Sequence, residues 1–287
     1  MRNKITIKKS VKIVNEDGNN CYVIKDKRNS LDNTYNYLLS RSFDYFPDVI
    51  ESGDKYYKYK YIEDTIEPRE QKITDMVNLV TLLHSKTTFY KEVDIDNYKY
   101  IYESISNQIE DLYVYYEELI TNIESNIYMS PSNYLIARNI TIIFSMLNYA
   151  KDNLDKWYDK IKDKRKLRVV NIHNNLSLDH YLRSDKPYLV SWDNSRIDMP
   201  IYDLVNLYHN HYLDFDFSSI FKQYLSKYPL TEEETILFHT LISIPNKIEY
   251  SVNEYKTVIN IRKLLDYIYK TSNLLKEYSV EKQTDKQ

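Results

Sequence analysis

His173-Asn174-Asn175-Leu176-Ser177-Leu178-Asp179-His180-Tyr181-Leu182, followed by Leu189-Val190-Ser191-Trp192-Asp193 and by Pro200-Ile201-Tyr202-Asp203-Leu204, is the stretch on which the reading of the fold turns. It interrupts a chain that is otherwise helical in pattern beyond residue 64. Leu167 to Ile172 reads as a short strand and Tyr188 to Trp192 as a second, so the segment forms a hairpin-like insert between helices. Polar residues at strand ends, on loops held by regular elements, are where binding and chemistry are usually placed.

Helical periodicity extends from this insert in both directions. Upstream, Pro68 lies near a helix start and Ile73 to His84 is strongly helical. Tyr98 to Asn126 and Ser132 to Lys162 carry many i,i+4 charge pairs and few breakers. Downstream, helices are expected over Ile201 to Tyr208, from a capping box of Thr231 and Glu234 towards Ile244, and from Tyr255 to Glu277. The polar tail from Glu281 is expected to fray.

The first sixty residues have a different period. Ile5 to Val14 alternates loosely as strand, and Glu16-Asp17-Gly18-Asn19-Asn20 is a turn cluster with an Asp-Gly hairpin signal. Cys21 to Lys25 is a second strand, with Cys21, Val23 and Lys25 on one face and Tyr22 and Ile24 on the other. A helix fits Leu31 to Ser42, with Tyr35, Leu38 and Leu39 as its apolar stripe. Asp48 to Ser52 and Tyr56 to Ile62 form a hairpin around Gly53-Asp54. The expected organisation is α+β: a small β-rich lobe over residues 1–63, a hinge near Tyr61 to Asp64, and a large mainly helical lobe over 64–287 that carries the insert at 167–204.

Composition narrows the function classes. The 287 residues include 39 basic and 42 acidic side chains, a net charge of −3, with the signs interspersed. No basic field points to nucleic acid or an anionic membrane. The Tyr-rich run Tyr113 to Tyr116 is followed by Glu117 and Glu118, so it reads as packing against neighbouring helices and not as a platform for bases. One cysteine, Cys21, excludes an intramolecular disulfide and a thiolate metal site, which suits a reducing compartment. Met1-Arg2-Asn3-Lys4 leads straight into strand, no apolar run reaches the ~20 residues of a membrane span, and a cytoplasmic protein is expected. There are 31 Tyr and only 2 Gly. The glycine shortage matters, because phosphate-cradling loops usually need glycine for close backbone approach.

The insert resembles the aminoglycoside and choline phosphotransferase-like family of kinase-fold enzymes, and within it the spore-coat branch. The family pattern is H-G-D-x-x-x-x-N, then an apolar strand ending in D-W-[ED], then P-x-x-D-L. Phosphoryl transfer needs a carboxylate to orient the acceptor hydroxyl, and an Asn with a second carboxylate to hold Mg²⁺ against the phosphates. On this pattern His173 matches the motif histidine. Asn175 falls where the catalytic Asp belongs, His180 where the Mg²⁺-binding Asn belongs, and Ser191 where the Mg²⁺-binding Asp belongs. Trp192 and Asp193 match the next positions. Pro200, Tyr202, Asp203 and Leu204 match the following segment, in which Asp203 is expected to pin the loop backbone. Val23-Ile24-Lys25 resembles the strand carrying the phosphate-binding lysine. Between the first two strands lies Lys8-Lys9-Ser10, with no glycine, and the helix after Lys25 offers only Asp32 as an acid in its first turns. Leu79 to His84 resembles the family's Leu-His-ended helix.

The resemblance thus implies a protein-kinase-like two-lobed fold whose packing residues are kept and whose chemical residues are changed. The leading expectation is a pseudokinase, a binding or scaffold protein with a partner protein or a small molecule in the interlobe cleft, and either no cofactor or ATP held with little or no dependence on Mg²⁺. The alternative is an active ATP-dependent phosphotransferase on a small hydroxylated substrate, with Asp193 as substitute acid and His173 or Asp179 in altered roles. A spore-coat structural protein is a third. Lys25 is either a phosphate ligand or a solvated strand lysine. His173 reads as a backbone-bonding core histidine, with catalytic base the other reading. His180 with Asp193 is too small a donor set for a transition metal. His209 and His211 are expected to be solvated.

Overall fold

β-Branched and aromatic residues dominate the N-terminal segment and suit a pleated, half-buried surface. In the computed structural model, which describes residues 4–8, 11–16 and 20–284, they build one antiparallel sheet. Its strands are β1 (Lys4–Lys8), β2 (Val11–Glu16), β3 (Asn20–Asp26), β4 (Val49–Ser52) and β5 (Tyr56–Lys60), in the order β1-β2-β3-β5-β4. The register sets Ile13 opposite Val23, Val23 opposite Tyr59 and Lys25 opposite Tyr57. The loose alternation over Ile5 to Val14 is two strands that pair with each other, Ile5 opposite Val14, in keeping with Lys8-Lys9-Ser10 read between the first two strands. Lys9-Ser10 and the Asp17-Gly18-Asn19 turn signal lie outside the described residues. The hairpin around Gly53-Asp54 forms as read, closed by Gly53 N–H donating to the Tyr56 carbonyl at 2.9 Å.

Between β3 and β4 lies helix α1 (Asp32–Ser40). Tyr35 and Leu38 are buried, but Leu39 is 54% exposed, so it does not belong to the expected stripe. Leu39 follows Leu38 directly and is rotated by about 100° from it, onto the solvent side.

The chain packs as two compact units, Met1–Phe89 with Val169–Asp203, and Tyr90–Arg168 with Leu204–Gln287. The first unit combines the sheet, helix α2 (Arg69–Thr87, entered through Pro68) and most of the insert. The insert is more divided than the hairpin read from the sequence. Strand β7 (Lys166–Ile172) pairs with β10 (Arg196–Asp198), and β8 (Tyr181–Arg183) pairs with β9 (Pro187–Leu189). The two strands expected to face each other, β7 and β9, therefore each have a different partner. Three-residue strands such as β8 and β10 carry too little alternation to be seen in sequence.

The second unit is helical. Helices α3 (Ile95–Glu124), α6 (Phe217–Lys227), α7 (Glu232–Ser243) and α8 (Glu254–Thr284) join α4 (Pro131–Ile161), which packs against α3, α7 and α8. The start of α4 is specified locally: Ser130 Oγ accepts the Asn133 N–H at 3.2 Å and Pro131 occupies the first helical turn. The Thr231/Glu234 capping box opens α7 as expected, and the same Glu234 is paired with Arg168. Trp157, Tyr116, Leu147 and Leu237 lie in the core of this unit. In the Tyr-rich run Tyr116 is fully buried while Tyr113 packs against Phe144, with tilted rings whose centroids are 4.8 Å apart. Helix α5 (Ile201–His211) begins in the P-x-x-D-L segment. His211, expected in solvent, is only 8% exposed and faces Asp214 at 2.9 Å. Helix α6, strand β6 (Phe89–Glu92) and the continuation of α8 past Glu281 to Thr284 were not read from the sequence. No helix among the described residues is long and apolar enough to cross a membrane.

Candidate functional site

The loop after β7 is fixed from below by one carboxylate. Asp203, in the first turn of α5, accepts the backbone N–H of His173 at 2.9 Å and that of Asn174 at 2.6 Å, and its Oδ2 lies 3.1 Å from His84 Nε2 on α2. Both Asp203 and His84 are fully buried. Burying a carboxylate is tolerated only where its lone pairs are met by donors, and here three donors converge on it. Asn174 takes φ = 54°, the left-handed region, where the family pattern has glycine. Asn is among the few side chains that adopt it readily.

His173 is wholly buried. Its Nε2 lies 2.9 Å from the Val190 carbonyl and so must donate, while Nδ1 is buried with no partner. Burial pushes its pKa down to about 4, against the nearby Asp203 and the Val190 hydrogen bond, which favour the charged form. A neutral ring that donates to backbone and packs edge-on to Trp192 at 4.7 Å is a positioning element. Trp192 itself is buried among Phe43, Phe46 and His173 and donates Nε1–H to the Leu189 carbonyl at 2.7 Å.

The motif positions that would do chemistry carry an amide, an imidazole and a hydroxyl. The Asn175 amide makes a long contact to the Ser191 carbonyl at 3.5 Å. Nδ1 of His180 lies 2.7 Å from the Asn175 carbonyl, so it donates and is turned back onto the loop. Ser191 sits at φ = 68°, again left-handed, between β9 and a 3₁₀ turn at Trp192–Asn194.

Charge enters through Lys25 and Asp193. Val23 and Lys25 share one face of β3, and the Lys25 ammonium is ion-paired with Asp193. The two side chains are 14% and 11% exposed, so the contact is largely shielded from water. Asn29 Nδ2 donates to the Asp193 carbonyl at 3.2 Å, tying down the same turn. Asp32, the acid offered by α1, lies 3.7 Å from Lys27 instead. The helix α1 side of the site carries phenols: Tyr35 and Tyr59 have their hydroxyls 3.3 Å apart. Burial, with Asp193 nearby, pushes Tyr59 up to about 12 and Tyr35 higher still, so both stay protonated.

Lys25, Asp193, Ser191, Trp192, Tyr35 and Tyr59 line a cleft of about 420 Å³ within the first unit, whereas His173, Asn175 and His180 are not part of its lining. Its apolar lining comes from the sheet (Ile13, Val23) and from the insert (Leu182, Val190), and residues 60–62 are part of its lining. Asp64 and Asp179 also face it. Sequence reasoning did not mark Asp64, which accepts the Arg183 N–H and the Lys72 ammonium, each at 2.8 Å. Nor did it mark Tyr35 and Tyr59 as site residues; only their apolar spacing was visible.

Mg²⁺ asks for near-octahedral oxygen ligands, usually with one or two carboxylates. The residues here do not fit it. The motif positions supply an amide, an imidazole turned onto backbone and a hydroxyl, and the carboxylate two residues on is held by Lys25. Among the described residues no three His, Cys, Asp or Glu side chains come together as a metal site.

No protein-family model matches the sequence, and no curated protein matches it. Solved structures are similar to it in fold. An aminoglycoside phosphotransferase from Alicyclobacillus acidocaldarius superposes with a TM-score of 0.70 at 8% identity, over 99% of this chain and 93% of that one. A spectinomycin phosphotransferase in complex with ADP and spectinomycin gives a TM-score of 0.54 at 11% identity, over 95% of this chain and 92% of that one. The AMP-bound form of that enzyme gives 0.51 at 12% identity. With its small antiparallel-sheet N-terminal region and its larger helical C-terminal region, this chain has the fold of the aminoglycoside phosphotransferases.

Proposed function

We propose that this chain is a pseudokinase, a kinase-fold protein that binds a ligand or partner in its cleft and transfers little or no phosphate. The observation that carries the reading is the engagement of Asp193 by Lys25. The acid nearest the lost metal position is held by the lysine that phosphate would need. Asn175 cannot take a proton from an acceptor hydroxyl, and Ser191 and His180 are poor Mg²⁺ ligands. Loss of such electrostatic contributions usually lowers a rate by orders of magnitude. The loop's supports, His84, Asp203, His173 and Trp192, are intact, as a protein that retained the cleft for recognition would require. A small molecule or a partner protein is its ligand on this reading, with no role for nucleic acid or membrane, and its location is the cytoplasm. Fractionation, including of spores where they form, checks that last point.

An active phosphotransferase is the second reading. The observation in its favour is that Asp179, exposed, lines the same cleft as Asp193. Both are tested by measuring phosphate transfer and ATP hydrolysis with Mg²⁺ or Mn²⁺ on a panel of aminoglycosides and amino alcohols. The pseudokinase reading expects no turnover above that of a Lys25→Met, Asp193→Asn double variant. Metal-dependent turnover abolished by Asp179→Asn would establish the second reading.

A further inference from the structure

We infer that the cleft selects an uncharged ligand of nucleoside size over a phosphorylated one. The inference rests on the pseudokinase reading and gives its ligand a chemical class. The cleft's volume of about 420 Å³ lies within the ~300–1,000 Å³ typical of small-molecule sites. Ile13, Val23, Leu182 and Val190 give it apolar walls from two separate elements. Its charged lining consists of two cations, Lys25 and Lys60, and three carboxylates, Asp64, Asp179 and Asp193, among the described residues.

The arrangement of those charges decides the matter more than their sum. Lys25 is already ion-paired with Asp193, and both side chains are largely shielded from water. Asp64 is balanced by Lys72, but Asp179 is exposed in the cleft, and its one hydrogen bond among the described residues is made by its backbone N–H, to Ser177 Oγ. A phosphate brought to Lys25 would have to displace a shielded carboxylate or sit beside it, and like charges at contact repel strongly where water is scarce. In metal-dependent sites a divalent cation relieves that repulsion, and this donor set does not suit one. An uncharged ligand meets the apolar walls without disturbing the Lys25–Asp193 pair.

Isothermal titration of the full chain with adenosine, AMP and ATP, each with and without Mg²⁺, tests this directly. The expected result is measurable adenosine binding, with ATP weaker by about tenfold or more whether or not Mg²⁺ is present. ATP binding as tight as adenosine, or no adenosine binding, overturns the inference. Asp193→Asn provides a second reading of the same electrostatics: freeing Lys25 should raise ATP affinity about tenfold relative to adenosine affinity. An unchanged ratio of the two affinities in the folded variant also overturns it. Tight ATP binding without turnover would sink only this inference, whereas metal-dependent turnover would sink the pseudokinase reading.

Discussion

Removing the Asp203 carboxylate should destabilise the first unit more than any other single change near the cleft. Asp203→Ala leaves two backbone N–H groups, that of His173 buried and that of Asn174 part-buried, without their acceptor, and leaves His84 facing a void. Hydrogen bonds to a charged group contribute ~1.5–3 kcal/mol each. Three such bonds are lost, and relief of the carboxylate's own burial offsets part of the loss, which leaves a net cost of about 3–5 kcal/mol. At ~2–4 °C per kcal/mol for a chain near this size, the melting temperature should fall by roughly 6–20 °C. Asp203→Asn keeps one acceptor oxygen but turns an amide donor towards a backbone donor, so about half that loss is expected. Calorimetry on both variants, with His84→Phe and the double variant, completes the cycle. The His84 and Asp203 effects should be non-additive by at least about 0.5 kcal/mol, as for groups in one network. An Asp203→Ala protein that melts within about 2 °C of the parent would refute the claim that this carboxylate holds the loop.

Three further outcomes follow from the same geometry. His173 has a folded pKa of about 4, below its ordinary value, so the unfolded chain binds the extra proton first. The stability contributed by the neutral ring is then fully present above pH ~6.5 and is lost as the pH falls towards 4, on the order of 3 kcal/mol in all. Melting curves over that range should show the fall, and His173→Phe should flatten it; a flat curve in the parent would contradict the burial argument. Ser191→Gly should raise the melting temperature by a degree or two, because Ser191 holds a left-handed φ of 68° that costs a Cβ residue about 1 kcal/mol. Arg168→Ala should destabilise the helical unit by ~2–3 kcal/mol, since it leaves the Glu234 carboxylate, 4% exposed and tied into the α7 cap, without its cation.

Much of this site was legible in the sequence because its supports are local and spaced. His173, Trp192 and the Asp203 segment stand at fixed intervals around apolar strands, and the capping box of α7 is written in Thr231 and Glu234. The hairpin around Gly53-Asp54 was equally plain. What the sequence hid is long-range pairing. Lys25 and Asp193 lie 168 positions apart, and nothing in either neighbourhood announces the other; Asp32 was the nearer acid and proved to serve Lys27. Strands β8 and β10 are three residues each, too short for a period, so β7 and β9 were read as partners. His211 looked solvated because nothing in its local pattern reports the burial around it. The phenol pair of Tyr35 and Tyr59 was invisible among 31 tyrosines.

The central claim is that the carboxylate nearest the lost metal position, Asp193, is not free to hold magnesium against a nucleotide, because it is committed to Lys25. Thermal unfolding in saturating ATP, with and without Mg²⁺ or Mn²⁺, tests it most directly. A ligand at a hundred times its dissociation constant stabilises by ~2.7 kcal/mol, a shift of several degrees. The account predicts that adding the metal changes the ATP-induced shift by less than about 1 °C. A rise of several degrees that appears only when metal and ATP are present together would contradict it.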